Sequence, residues 1–174
     1  GVSAGMNQWE MLARFAREGD FDCFLLAGRY SLLEQEPARA FFPIAAVENT
    51  GLLARVPHAS EALTDKFTVV PSFEAGDHRA LRRAEWLAQA MEKRKALLFL
   101  AQGTGRTLAQ AAIKFSLAQP MIAAVLPNIT SEQELMEYAA ATETPDLSQE
   151  EAARVDELYK NNFYLDHEPG PEAE

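Results

Sequence analysis

Three apolar runs constrain this chain more than any other feature. Residues 21–26 (FDCFLL), 52–56 (LLARV) and 121–126 (MIAAVL) are short and nearly continuous in apolar residues. A strand with one wet face alternates. A strand covered on both faces does not, and burial on both faces is the habit of parallel sheets. Arg55 makes the second run less clean.

The intervals between the runs read as helices. Residues 7–18 open with Asn7 as a cap and Glu10 at the box position, carry Trp9, Leu12, Ala13 and Ala16 on one face, and stop before Gly19. Residues 38–48 follow Pro37, are interrupted by Pro43 and form a weaker helix, and 78–100 are a long helical stretch with room for a break. In 107–119, Leu108, Ala111, Ala112 and Phe115 recur at helical spacing and Pro120 ends the run. Two Ser-x-x-Glu boxes, Ser131/Glu134 and Ser148/Glu151, open helices over 131–141 and 148–161. Strands alternating with helices imply an α/β fold with right-handed crossovers. Between Pro57 and Asp77, roughly twenty residues lack periodicity, and such a loop in a compact domain is usually functional or a lid. The fold is expected over residues 1–163, with an acidic, disordered tail over 164–174.

The stretch that speaks most directly to chemistry is 124–138, AVLPNITSEQELMEY. An apolar strand runs into Leu126-Pro127, turns through a polar loop and opens a helix at Ser131. That arrangement offers backbone N–H groups and the positive end of a helix dipole to an anion. A nucleotide phosphate is the commonest anion to use such a place, so cofactor binding is the expected function.

Bulk composition narrows the alternatives. The 174 residues are one domain's worth and 48% are apolar, enough for a sizeable core. A formal charge of −10 argues against nucleic acid and anionic membrane surfaces as partners, since both require basic patches. No run approaches the ~20 apolar residues of a membrane span. The single cysteine, Cys23, lies in an apolar run and reads as a small buried hydrophobe, consistent with a reducing cytoplasm. The first residue is Gly1, so the chain reads as a piece of a longer or processed protein.

Taken in order, several motifs resemble the C-terminal half of the aldo/keto reductases. They are Gly1-Val2-Ser3 before a helix, Arg29-Tyr30-Ser31-Leu32-Leu33, and a strand leading to Pro57 and the loop SEALTDKF at 60–67. Thr107-Leu108-Ala109-Gln110-Ala111-Ala112 and VLPN before a capped helix complete the series. The resemblance spans about residues 1–160. It implies an NAD(P)(H)-dependent oxidoreductase that interconverts a small carbonyl compound and an alcohol. The implied fold is a partial (β/α)8 TIM barrel, from the end of strand five through helix eight plus a C-terminal helix. The family's catalytic Asp, Tyr, Lys and His belong to the other half. The chain alone is therefore expected to be inactive, and a missing N-terminal half-barrel becomes its partner.

Residue by residue, the resemblance places Ser3 on the nicotinamide carboxamide. It puts Arg55 where many members stack an aromatic ring on the nicotinamide, and Pro57 and His58 at the start of the loop over the pyrophosphate. Asn128, Ile129 and Glu134 fall at the adenosine 2′-phosphate, and Glu137 and Tyr138 at adenine. Neither Asn128 nor Glu134 offers a cation to a doubly charged phosphate, which points to NADH over NADPH.

Simpler readings stand beside these. Ser131 is a helix cap with or without a phosphate contact, and Arg55 is a cofactor partner or an ion-pair residue at a barrel rim. His58 and His78 are lone loop histidines and make no metal site. Arg79, Arg82 and Arg83 read as a solvated face, and Trp9 and Trp86 as packing residues. Gly103-Thr104-Gly105 reads as a turn before a Thr107 cap, and the carboxylate pairs Glu150/Glu151 and Asp156/Glu157 as an exposed helix face. A non-catalytic α/β binding or interaction module derived from such a barrel is the alternative function.

Overall fold

Four strands, Ser3–Met6 (β1), Cys23–Ala27 (β2), Gly51–Arg55 (β3) and Ile122–Leu126 (β4), form one parallel sheet in the order β1-β2-β3-β4. The structure is a computed structural model that describes residues 1–67, 69–70 and 84–165. Between the strands lie Trp9–Glu18 (α1), Glu36–Ala40 (α2), Phe42–Val47 (α3), Ala84–Leu97 (α4) and Leu108–Leu117 (α5). After β4 come Glu132–Ala139 (α6) and Gln149–Lys160 (α7). Among the described residues, no helix is long and apolar enough to cross a membrane.

The parallel α/β arrangement follows from the apolar runs, because a parallel neighbour needs a crossover and each crossover here carries a helix. One sheet face is packed. Phe24 and Leu26 of β2 and Leu52 and Ala54 of β3 are fully buried beneath Leu12, Ala13 and Ala16 of α1 and Phe41, Phe42 and Ala45 around α3. Trp9 packs against this cluster, while Trp86 packs against a second one built from Leu63, Leu97, Leu100, Leu108 and Val155. On the opposite face, Cys23, Leu25, Ala27 and Leu53 are only half-buried. Cys23 is thus a half-buried free thiol rather than a fully buried one.

Several expectations need correction. β1 begins at Ser3, where the family resemblance has it end, because Ser3 pairs with Cys23 at the start of β2. Asn7 does not cap α1; the helix starts at Trp9 after Gln8, whose side chain makes no capping bond, since the strand running to Met6 leaves only two residues for the turn. The weak helix over 38–48 is two helices meeting at Phe41. Pro37 and Pro43 each sit in a first turn, where the missing N–H has no intrahelical partner to lose. The long helix expected over 78–100 is described from Ala84 and tightens into a 3-10 turn at Leu98–Leu100. His78, Arg79, Arg82 and Arg83 lie outside the described residues, as does the tail beyond Leu165. Leu165 itself packs on the second core cluster, although the tail was expected from 164.

The helix-opening signals fare better. Thr107 caps α5 and forms a full box with Gln110, so the glycine-flanked 103–106 segment is a turn leading into a cap. Ser148 and Glu151 form the expected box at α7. Glu151 also pairs with Arg106, whose guanidinium is buried and donates to the carbonyls of Pro145 and Asp146 at 3.3 and 3.1 Å. Glu151 is therefore a half-buried linker, while Glu150, Asp156 and Glu157 are exposed as expected.

Candidate functional site

At the C-terminal end of the sheet, β3 and β4 release two loops that converge. Arg55 and Leu126 are register partners at the strand ends, and the N–H of Val56 donates to the carbonyl of Leu126 at 3.0 Å. Beyond that bond the first loop turns left-handed. Val56, Ala59, Ser60 and Glu61 have φ of 60°, 49°, 55° and 72°, a region that costs a residue with a Cβ and is hardest on a β-branched valine. The turn survives because it is deeply packed. Pro57, His58, Ala59 and 61–64 are all buried, and Leu63 N–H closes back onto the carbonyl of His58 at 3.1 Å. Backbone strain of this kind collects at ligand clamps and switch segments. The first part of the aperiodic loop of the sequence, 56–67, is thus an ordered, strained turn, while residues 68 and 71–77 lie outside the described residues.

The second loop leads from Pro127 through Asn128, Ile129 and Thr130 to α6. Ser131 caps that helix by accepting from the N–H of Glu134 at 3.2 Å. The box is not reciprocal. Glu134 turns instead to Thr130, accepting from its N–H at 2.7 Å and its hydroxyl at 2.9 Å. The other carboxylate oxygen pairs with Lys66, delivered from the first loop. Lys66 also donates to the Thr130 hydroxyl at 3.1 Å and lies 3.7 Å from the buried carboxylate of Glu61. Burial alone would push the Glu134 carboxyl up, but Lys66 and the two Thr130 donors hold it at about 2. It is an anion throughout the physiological range.

Behind this ion cluster sits an aromatic pair. The rings of His58 and Tyr138 are 4.5 Å apart, and the His58 Nε2–H donates to the carbonyl of Ala109 at 3.2 Å. Burial pushes the imidazole down to about 4, so it is neutral at pH 7. Burial, with Glu61, Glu134 and Glu137 nearby, pushes the Tyr138 phenol up.

The sequence-derived residues divide accordingly. Pro57, His58, Asn128, Ile129, Ser131, Glu134, Glu137 and Tyr138 come together around the two loops. Arg55 stands at their root, exposed, with no ion pair among the described residues. Asn128 is half-buried and Ile129 is exposed. Glu137 accepts from the Thr107 hydroxyl at 2.6 Å and its carbonyl accepts from Gln110 Nε2 at 2.8 Å, joining α6 to α5. Tyr138 is packed with Ala109, Ile113 and Ala141. These engagements leave little of either side chain for a ligand. Ser3 is not brought in. It lies three residues, ~10 Å of strand, from Met6 at the end of β1 that faces the loops, and Asn7 follows that end directly.

Sequence reading missed Lys66 and Thr130. The SEALTDKF loop was recognised without a role for its lysine, because no pattern within either loop shows that they touch. A cavity of about 570 Å³ lined by Tyr30, Phe115, Gln119 and Asp156 includes none of the expected site residues.

The aldo/keto reductase family model matches residues 1–160. Pyridoxal 4-dehydrogenase of Microbacterium luteolum is 40% identical over 75 residues, which cover 37% of this chain and 22% of that protein. D-threo-aldose 1-dehydrogenase of a Pseudomonas species is 40% identical over 53 residues, 30% of this chain and 16% of its own. Among solved structures, the glycerol dehydrogenase of Gluconobacter oxydans superposes with a TM-score of 0.71 at 17% identity, covering 98% of this chain and 51% of that one. The holo form of an aldo-keto reductase from Bacillus halodurans gives 0.65 at 19%, covering 88% and 48%. The chain thus spans about half the length of the solved structures it matches, and the matched segments cover less of the curated relatives. It belongs to the aldo/keto reductase family.

Proposed function

From that membership we propose that the chain is the dinucleotide-binding half of an oxidoreductase that interconverts a small carbonyl compound and an alcohol. The observation that carries this reading is the convergence of the loops after β3 and β4 at the C-terminal end of a parallel sheet. That is where barrels of this class hold ligands, with phosphates after the last two strands. NAD(P)(H), when bound, would supply the hydride chemistry. Arg55, the 57–67 loop with Pro57 and His58, and Asn128, Ile129, Ser131 and Glu134 are the residues offered to hold it. Glu137 and Tyr138 shape the wall behind the adenine position. Asn7 takes the carboxamide role first assigned to Ser3. NADH is the preferred form.

The half-buried sheet face supports the second part of the proposal, that this is the C-terminal half of a (β/α)8 barrel. A parallel sheet is covered on both faces in complete folds, and β2 and β3 are apolar toward both sides. The half-barrel carrying the family's catalytic Asp, Tyr, Lys and His is the proposed partner, and the chain alone is expected to be inactive.

Titration of the protein with NADH, followed by nicotinamide fluorescence, tests the reading. Saturable binding is expected, with turnover of a small aldehyde only when the complementary half-barrel is added. Absence of any dinucleotide binding would overturn it. Binding without turnover in the completed assembly would favour a non-catalytic binding module instead.

A further inference from the structure

On the helix side of the sheet, away from the two loops, the cavity of about 570 Å³ opens between α2, α5, α7 and the segment 142–147. It lies where the two core clusters meet, because Phe115 in its wall packs against both. Its floor is aromatic. The Tyr30 ring, only 1% exposed, stacks on Phe115 with centroids 5.5 Å apart and meets Phe42 edge-on at 4.9 Å. Burial pushes the Tyr30 phenol up, so it stays protonated beside the Gln119 side chain that hydrogen-bonds to it. Ala38, Leu117 and Leu147 add apolar wall. An apolar body with a few convergent polar groups, in a cavity of this size, is the usual form of a small-molecule site.

The charges at the mouth decide the class of molecule. One ammonium, Lys114, and two carboxylates, Asp146 and Asp156, line the cavity. The Lys114 side chain is mostly buried and its Nζ lies 2.9 Å from Asp146, so that pair is engaged with itself. The Asp156 carboxylate pairs with Lys160 one turn further along α7, and both residues are exposed. Such a surface pair contributes little and gives up its cation readily. An incoming anion would meet Asp156 with the lining ammonium already taken. An incoming cation would meet a carboxylate able to turn to it, above an aromatic floor whose ring faces also favour positive charge. The formal charge of −10 acts in the same direction. We propose that this cavity binds a small primary amine with an aromatic or apolar body, its ring on Phe115 and its ammonium on Asp156. The site is separate from the place offered to the dinucleotide and does not depend on that reading.

Phenethylamine, phenethyl alcohol and phenylacetate share one body and differ in charge. Titration calorimetry with each, at low ionic strength, tests the proposal on the wild type, D156N and A152L. Ala152 lines the cavity one turn before Asp156 and is exposed, so leucine there fills space without entering the core. The wild type should bind the amine with a Kd of about 1 mM, the alcohol about fivefold more weakly and phenylacetate at least about tenfold more weakly. D156N should lose about fivefold in amine affinity and bring amine and alcohol level. A152L should lose amine binding while its circular dichroism and its NADH affinity stay those of the wild type. Amine binding that survives A152L, equal affinity for amine and phenylacetate, or no amine binding in the millimolar range would each overturn the amine site. None of these results bears on NADH binding, so the two proposals fail separately.

Discussion

The two faces of the sheet differ in how deeply their apolar side chains are covered. On one, Phe24, Leu26, Leu52 and Ala54 are sealed beneath helices. On the other, Cys23, Leu25, Ala27 and Leu53 are just as apolar yet stand half-buried. The same strands supply both sets, in alternation, so neither strand propensity nor hydrophobicity explains the difference. It reflects what each face meets. The lesson is that apolar content alone does not say which residues hold a chain together.

That contrast can be broken by experiment. The largest effect belongs to the sealed face: Phe24→Ala should cost about 3–5 kcal/mol through lost burial and the cavity left behind, read from denaturant midpoints. The buried ion pair that ties the turn before α5 to α7 comes next. Arg106→Met should cost about 3 kcal/mol, because it strands the Glu151 carboxylate and removes the donor to two carbonyls.

His58 gives a pH signature of nearly the same size at the end of the sheet. Its folded value of about 4 lies below the ordinary 6.5, so the unfolded chain takes up a proton first as pH falls. Stability should be complete above pH 6.5 and decline by about 3 kcal/mol between there and pH 4, a slope that His58→Gln should flatten. Any loss from Glu134 comes lower, between 4.5 and 2. The smallest effect belongs to the half-buried face, where Leu53→Ala should cost about 1 kcal/mol in the isolated chain. On the half-barrel proposal, that cost should grow once the complementary half is added. If Leu53→Ala and Phe24→Ala cost the same in the isolated chain, the contrast between the faces is lost.

Much of this architecture was legible in the residues. Continuous apolar runs gave β2, β3 and β4, and the capping chemistry of Thr107 and Ser148 gave two helix starts, because strand burial and capping are local. β1 was invisible to periodicity, since Ser3-Ala4-Gly5-Met6 is too short and too small-chained to stand out, and the family motif displaced its end by several residues. The polar loop after β4 and its helix start were legible in the residues, but not their wiring. Ser131 and Glu134 read as a reciprocal box; instead Glu134 follows the stronger pull of an ammonium that arrives from residue 66. Contacts between residues 66 and 134 depend on two strand ends lying side by side, which no local pattern encodes. The partners that α5 supplies to Glu137 and Tyr138 were likewise beyond any local pattern.

Hydrogen–deuterium exchange of the protein with and without saturating NADH tests the central claim most directly, because it reports where a dinucleotide lands. The account expects slowed exchange in 56–67 and 126–138 together, with β1 near Ser3 and the Tyr30–Gln119 cavity unchanged. Slowed exchange confined to that cavity, or to the sheet's opposite end, would contradict it.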